Sequence, residues 1–355
     1  MATKALYAGS FDPVHRGHID IAAAAARKYG SCVIAVGIND CKKPLFLQRE
    51  RVEMVREALN FYQTYYTPQE KLDIDVVSYD GCTVDMAIKL GCSHIVRGTR
   101  GAMDDDNEKR LFEINQKLLK IRFREDIEQV LIKASKQYAS VSSSDVKALC
   151  AAGEYILAMS YVFPPTHNEL MKKYLSREYE RISSGWWYEF ARCFDGRAYH
   201  NLSHIAYMLN RLEIYLRNGG AVDDIENLRR AIFYHDLCET PAASADAAPF
   251  KDQNFRRLVM ATDYLNDACK AAERDERVIK DLDLSILFDE NNYADYVYRV
   301  REEYKQYDMG IYGRERTKVL TKLMKELDYN IFPSWTQAKA LRQMQSEIDM
   351  LNTLP

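Results

Sequence analysis

The chain has 355 residues, of which 47% are hydrophobic and 28% charged, and its formal net charge is −3. That length is comfortable for two domains, and so small a net charge gives no global field to gather nucleic acid. The eight cysteines form no C-x-x-C pair and show no metal-ligand spacing, which fits reduced thiols in a cytoplasmic protein.

The first half alternates. "KALYAG" is a short apolar run, "HIDIAAAAARKYG" is helical, and "CVIAVGI" reads as a buried strand. "RERVEMVREALNFY" has helical spacing, "KLDIDVVSY" alternates as a strand does, and "TVDMAIKLG" is helical. "SHIVRG" and "IEQVLIKA" are strands, separated by the helix "NEKRLFEINQKLLKIRF" and followed by "SSSDVKALCAAG", a helix ending at a glycine. Strands alternating with helices predict a five-stranded parallel sheet with helices on both faces. Ligands of such sheets bind beyond the carboxyl ends of the strands. From about Asn168 the pattern changes: "NLSHIAYMLNRLEIYLRNG", "IENLRRAIFYHDLC", "YADYVYRVREEYKQY" and "RERTKVLTKLMKELD" all carry helical spacing. The boundary is placed after residue 176, giving an α/β domain over 1–176 and an all-α domain over 177–355. No run is apolar for long enough to span a membrane, and the N-terminus reaches Gly9 too soon to be a secretory signal.

The loop after the first strand reads "GSFDPVHRGHID". His18 falls at a helix N-terminus, where unsatisfied N–H groups and the dipole favour an anion. His15 lies in the loop one turn earlier, Gly9 and Gly17 allow close backbone approach, and Ser10 adds a hydroxyl. "KKP" (Lys42–Pro44) follows the second strand, "RGTR" (Arg97–Arg100) the fourth, and "SVSSSDVK" (Ser140–Lys147) the fifth. Each alone is an ordinary cap or a solvated turn. Four such segments at the same end of one sheet point to phosphate.

The set resembles the nucleotidyltransferase superfamily with the (H/T)xGH motif, here His15-Arg16-Gly17-His18. Within it, residues 3–170 resemble the phosphopantetheine adenylyltransferases through "YAGSFDPVHRGHIDI", "KKPLF", "ERVEMV", "IVRGTRGAMDDDNE", "INQKL", "SVSSSDVK" and "VFPP". The resemblance implies a Rossmann-like domain that moves AMP from ATP, with Mg2+, onto 4′-phosphopantetheine. His18, Lys42 and Arg97 would be catalytic. Ser10, Phe11, His15, His18, Arg100, Glu108, Ser142, Ser143 and Ser144 would bind ATP. Ser10, Lys42, Arg97 and Asn115 would hold the acceptor. The family is typically hexameric, which implies a homo-oligomer. Ala8 stands where the family often has proline, and Asp104–Glu108 lacks the family's aromatic residue at the acceptor wall. Nicotinate mononucleotide adenylyltransferases share the first motif and the serine-rich helix start, so that acceptor stays open.

In the second half, His200 and His204 are four apart and share one face of a helix. His235-Asp236 is an adjacent pair, and "KDLDLSIL" supplies Asp281 and Asp283. Imidazoles with carboxylates suit a divalent metal that activates water. "YHNLSHI", "YHD", "DLDLSIL" and "YGRERTKVL" resemble the HD superfamily of metal-dependent phosphohydrolases over residues 184–352. The resemblance implies ligands His204, His235, Asp236 and Asp283, with His200 in the same set and Asp281 beside it. The short "CETPAASADAAPF" lacks the Asn-Glu pair of that subgroup, though Glu239 is near, and Tyr264 stands where it often has histidine. A metal fold that binds a nucleotide without hydrolysing it is the alternative.

Overall fold

The computed structural model describes residues 3–38, 43–99, 106–124, 126–263, 266, 271–326 and 337–353; for 106–109 and 326 the backbone alone is described. The described chain opens with β1 (Thr3–Gly9), α1 (Arg16–Tyr29), β2 (Gly30–Gly37), α2 (Gln48–Tyr65), β3 (Ile74–Tyr79) and α3 (Thr83–Lys89). It continues with β4 (His94–Thr99), α4 (Asp106–Ile121), β5 (Glu128–Lys133) and α5 (Ser143–Ala151). The helix-only stretch runs α6 (Tyr155–Tyr161), α7 (Pro164–Tyr174), α8 (Ser176–Ile182), α9 (Trp187–Arg192), α10 (Leu202–Arg217), α11 (Ile225–Tyr234) and α12 (Pro241–Ala247). It ends with α13 (Gln253–Met260), α14 (Arg274–Asp283), α15 (Tyr293–Glu303), α16 (Met309–Glu326) and α17 (Gln337–Asn352).

The five strands are parallel in the order β3-β2-β1-β4-β5. The expected Rossmann-like sheet is present. Central β1 reads as an unbroken apolar run because both its faces are covered: Ala5, Leu6, Tyr7 and Ala8 are all buried. Leu6 and Ala8 pack with Val33, Ala35, Ile95, Val84 and Ala87, and with Leu119 of α4. Alternation turns Tyr7 to the other face, where α1 lies. Ala22, Ala23, Ala25 and Ala26 of α1 are buried, and α1 touches all five strands. A helix of small residues can lie close on a sheet in this way, and the alanine run in the sequence is that seam.

The chain forms two compact units, residues 1–152 with 157–169, and residues 153–156 with 170–355. In the second unit α10 is the central helix. Every residue from Leu202 to Asn210 is buried, and α11 and α14 pack against it. Among the described residues, no helix is long and apolar enough to cross a membrane.

Candidate functional sites

Strands β2 and β3 lie on one side of β1, while β4 and β5 lie on the other. The chain reverses direction across the sheet between β1 and β4. Crevices for ligands open at the carboxyl ends of two such strands. Gly9 and Ser10 leave β1 there, and Arg97, Gly98 and Thr99 end β4.

Ser10 is exposed. Phe11 is buried, with φ of 48°, a left-handed conformation that costs a non-glycine residue on the order of 1 kcal/mol. Its ring is held edge-on by His18 at 4.9 Å and by Tyr7 at 5.4 Å. Phe11 therefore supports His18 from within the core and presents no open face. His15 is the N-cap of α1 and His18 lies in its first turn. The two rings stack, with centroids 3.5 Å apart. His18 Nδ1 accepts the His15 backbone N–H at 3.2 Å, which places the proton of a neutral His18 on Nε2, as a donor suited to an anion.

Ser142 caps α5 by accepting the Asp145 N–H. Ser143 Oγ donates to the Pro13 carbonyl at 2.8 Å, so the N-termini of α1 and α5 meet at one loop. Ser144 is exposed. Ser135, after β5, donates from its N–H and its hydroxyl to Asp20 of α1 at 2.7 and 2.8 Å. Arg97 and Asn115 are buried at the end of β4 and on α4. Arg16 turns away, donating to the Val162 carbonyl and to the Tyr66 hydroxyl. Lys42 and Arg100 lie outside the described residues, and of Glu108 only its place in α4 is described.

A cytidylyltransferase-like family model matches residues 6–149. Three phosphopantetheine adenylyltransferases are similar to the N-terminal half. That of Roseiflexus sp. is 38% identical over 175 residues, which is 49% of this chain and 99% of the relative. The chain belongs to the phosphopantetheine adenylyltransferase family. The protein of Heliobacterium modesticaldum is 35% identical across 48% of this chain and 93% of its own length. That of Roseiflexus castenholzii is 40% identical across 42% and 86%. The family relationship thus covers the α/β unit, and the helical unit is an addition to it.

In that addition, the N-terminus of α10, the end of α11 and the end of α14 bring four side chains together. His204 Nε2 lies 3.1 Å from Asp283 Oδ1, 3.3 Å from His235 Nε2 and 3.6 Å from Asp236 Oδ2. His235 Nε2 lies 3.0 Å from Asp236 Oδ2. Among the described residues, His204, His235 and Asp283 each offer a ligand atom within 4.8 Å of the others. His235 Nδ1 donates to the Ile232 carbonyl at 3.0 Å, which turns the Nε2 lone pair of a neutral ring inward. Asp236 Oδ2 is buried and accepts no hydrogen bond. A lone pair facing a carboxylate oxygen at that distance needs a proton or a cation between them. The proton form is reflected in the acid–base balance. Burial pushes His235 down, but Asp236 and Asp283 outweigh it and raise it to about 9. Burial pushes Asp236 up, yet the surrounding imidazoles, His235 first, hold it well below the carboxylate range. His204 is lowered, chiefly by burial. The donor set fits a divalent cation.

His200 adjoins this group and is tethered from α15. Its Nδ1 bonds Glu303 Oε1 on α15, and its ring centroid stands 6.1 Å from that of His204. Glu303 Oε2 also accepts the backbone N–H groups of Tyr199 and His200 at 2.7 and 3.0 Å. Burial raises the Glu303 carboxyl, but His200 and those N–H groups bring it down to about 2. One helical turn earlier on α15, Arg299 donates to the Ala198 carbonyl and to Asn201 Oδ1, at 2.9 and 3.1 Å. Arg299 and Glu303 thus clamp the segment that leads into α10. Sequence reading missed both, because "YRVREE" carries no signal beyond helical spacing. Asp281 is buried, and Tyr264 lies outside the described residues.

Proposed function

We propose that the α/β unit transfers AMP from MgATP to 4′-phosphopantetheine, giving dephospho-coenzyme A and pyrophosphate. The observation that carries this reading is the meeting of two helix N-termini and His18 at the switch point of the sheet, in a chain that spans 99% of a phosphopantetheine adenylyltransferase. An acceptor phosphate oxygen attacks the α-phosphorus, the bond to the β-phosphate oxygen breaks, and pyrophosphate leaves. No protein nucleophile is required. Catalysis then consists of positioning and charge stabilisation. His18 Nε2–H and the amide groups opening α1 and α5 supply donors that need no reorganisation. By the resemblance, Lys42, Arg97 and Arg100 add the cations, and Ser10 and Asn115 hold the acceptor.

Pyrophosphate release by the purified chain with MgATP and either 4′-phosphopantetheine or nicotinate mononucleotide tests this, with His18→Ala as control. Release with the first acceptor alone, lost in the variant, is the expected result. Release with the mononucleotide alone replaces the reading with an NAD-pathway transferase.

For the helical unit we infer a metal-dependent phosphohydrolase. His204, His235, Asp236 and Asp283 would hold the cation, and His200 stands beside them on its Glu303 tether. A divalent cation supplies Lewis acidity and a water of lowered pKa. The short segment between Glu239 and Phe250 favours the second reading, nucleotide binding without turnover. Metal content after dialysis and phosphate release from nucleotides decide between them: a metal-loaded protein that binds nucleotide but releases no phosphate sinks the hydrolase.

A further inference from the structure

Arg51 of α2 is 3% exposed and belongs to none of the residue sets above. Its Nε donates to the Phe46 carbonyl at 3.2 Å. Its Nη1 donates to the carbonyls of Ser10 and, at 2.8 Å, Gly37. Gly37 ends β2, Ser10 follows β1, and Phe46 precedes α2. Three chain segments at the ligand end of the sheet therefore meet on one guanidinium.

Asp12 grips the same place from the other side. Its carboxylate accepts the Leu45 and Phe46 N–H groups, each at 3.0 Å at the nearer oxygen, and pairs with Lys147 of α5 at 3.0 Å. The Phe46 peptide unit thus gives its N–H to Asp12 and its carbonyl to Arg51. Carbonyl oxygens carry no formal charge, so maintaining a buried cation for three of them is costly. Lysine, a point donor, cannot reach three acceptors in this fork geometry.

We propose that Arg51 is a positioning residue for nucleotidyl transfer: it touches no substrate and acts by fixing the Ser10 carbonyl, and with it the Ser10 hydroxyl and the left-handed Phe11. The inference rests on the adenylyl-transfer reading above. Release of the Ser10 peptide lets Phe11 relax, and Phe11 is the ring against His18. Transfer reactions that rely on positioning lose about a hundredfold for a displacement of the order of 1 Å.

The test is steady-state pyrophosphate release by the full chain, with each substrate varied in turn, for the wild type, Arg51→Lys and Asp12→Asn. Rates are taken per folded molecule, with folding followed by circular dichroism. Arg51→Lys is expected to lower kcat about 10–100-fold and to raise KM for 4′-phosphopantetheine and for MgATP, since Ser10 and His18 serve both substrates in this reading. A purely structural arginine would lower only the folded fraction or the melting temperature; unchanged kcat and KM per folded molecule overturn the proposal. Should Arg51→Lys not fold, Asp12→Asn carries the same expectation through the other side of Phe46. No release by the wild type defeats the adenylyl-transfer reading, and this inference with it. That outcome is distinct from a wild-type rate that Arg51→Lys leaves intact.

Discussion

His204 Nε2 and His235 Nε2 face each other at 3.3 Å, on residues 31 apart that come from the start of one helix and the end of another. Both side chains are almost fully buried, with Asp236 and Asp283 closing the group. Two neutral imidazoles cannot both turn lone pairs to one point without a shared proton or cation. This convergence makes the helical unit a candidate metal centre, where four separate polar residues would be merely buried groups.

Metal binding at this centre is expected to displace a proton. His235 is raised to about 9 in the cation-free state, and a ligand must be deprotonated. Apparent affinity should climb about tenfold per pH unit between about 7 and 9 and level off above. Calorimetry with Zn2+ or Mn2+ in two buffers of different ionisation enthalpy should report about one proton released per ion near neutral pH. The stability linkage has a fixed sign. His235 is raised above its unfolded value of about 6.5, so its contribution to the metal-free protein is full below that pH. The contribution is lost as pH rises through about 9. Asp283→Asn should remove binding while leaving α10 and α11 folded.

Glu303→Gln should separate the clamp from the ligand set. Glu303 is brought down to about 2, so its contribution to stability is present above the unfolded carboxylate value of about 4.3 and fades as pH falls through about 2. Burial opposes the charge on His200, but Asp236 and Glu303 raise it overall. Its contribution is full below about 6.5 and is lost as pH rises through the raised value. The difference between wild type and Glu303→Gln should therefore be largest between about pH 4.5 and 6.5. Urea midpoints at pH 3, 5.5 and 9 measure it, and a difference constant across the three would refute the pairing.

The sheet was legible because its strands are short apolar runs between helices of clear spacing, and the order of motifs marked its ligand end. His15 and His18 were readable as a helix start. Chemistry alone marked only a loose group of imidazoles and carboxylates, and the set of His204, His235, Asp236 and Asp283 came from the resemblance to the HD superfamily. What could not be read were side chains that act through the backbone. Arg51 looks like any charged residue on an amphipathic helix, and Asp12 like a turn former before Pro13. Glu303 and Arg299 look like solvated charges on α15. Their partners are N–H and carbonyl groups of distant segments, which leave no mark in a sequence. Phe11 is a further case: its ring packs inside against His18 and Tyr7, a placement that its position in the motif does not reveal.

His18→Ala should lower kcat for pyrophosphate release by about 10²–10³, since the donor on Nε2 is lost. His15→Ala should cost less, about tenfold, because it removes only the ring stacked at 3.5 Å, while the backbone N–H to His18 Nδ1 remains. Equal losses would mean that both rings contact the phosphates.

Gly98 offers a test of how closely the switch point is packed. A Cβ there would lie 2.6 Å from Ile21 Cδ1 and 3.2 Å from the Tyr7 hydroxyl. Ile21 lies on the buried face of α1, the helix that carries His18. Gly98→Ala should cost about 1–3 kcal/mol as overpacking and should displace α1 at its ligand end. Ile21→Val removes the clashing methyl and alone should cost about 0.5–1.5 kcal/mol. The double variant should therefore be less destabilised than the sum of the two, because each change relieves the other. Thermal unfolding of the four proteins gives the coupling. Strict additivity would show that α1 does not press on β4 at Gly98, and that this glycine serves approach by ligand.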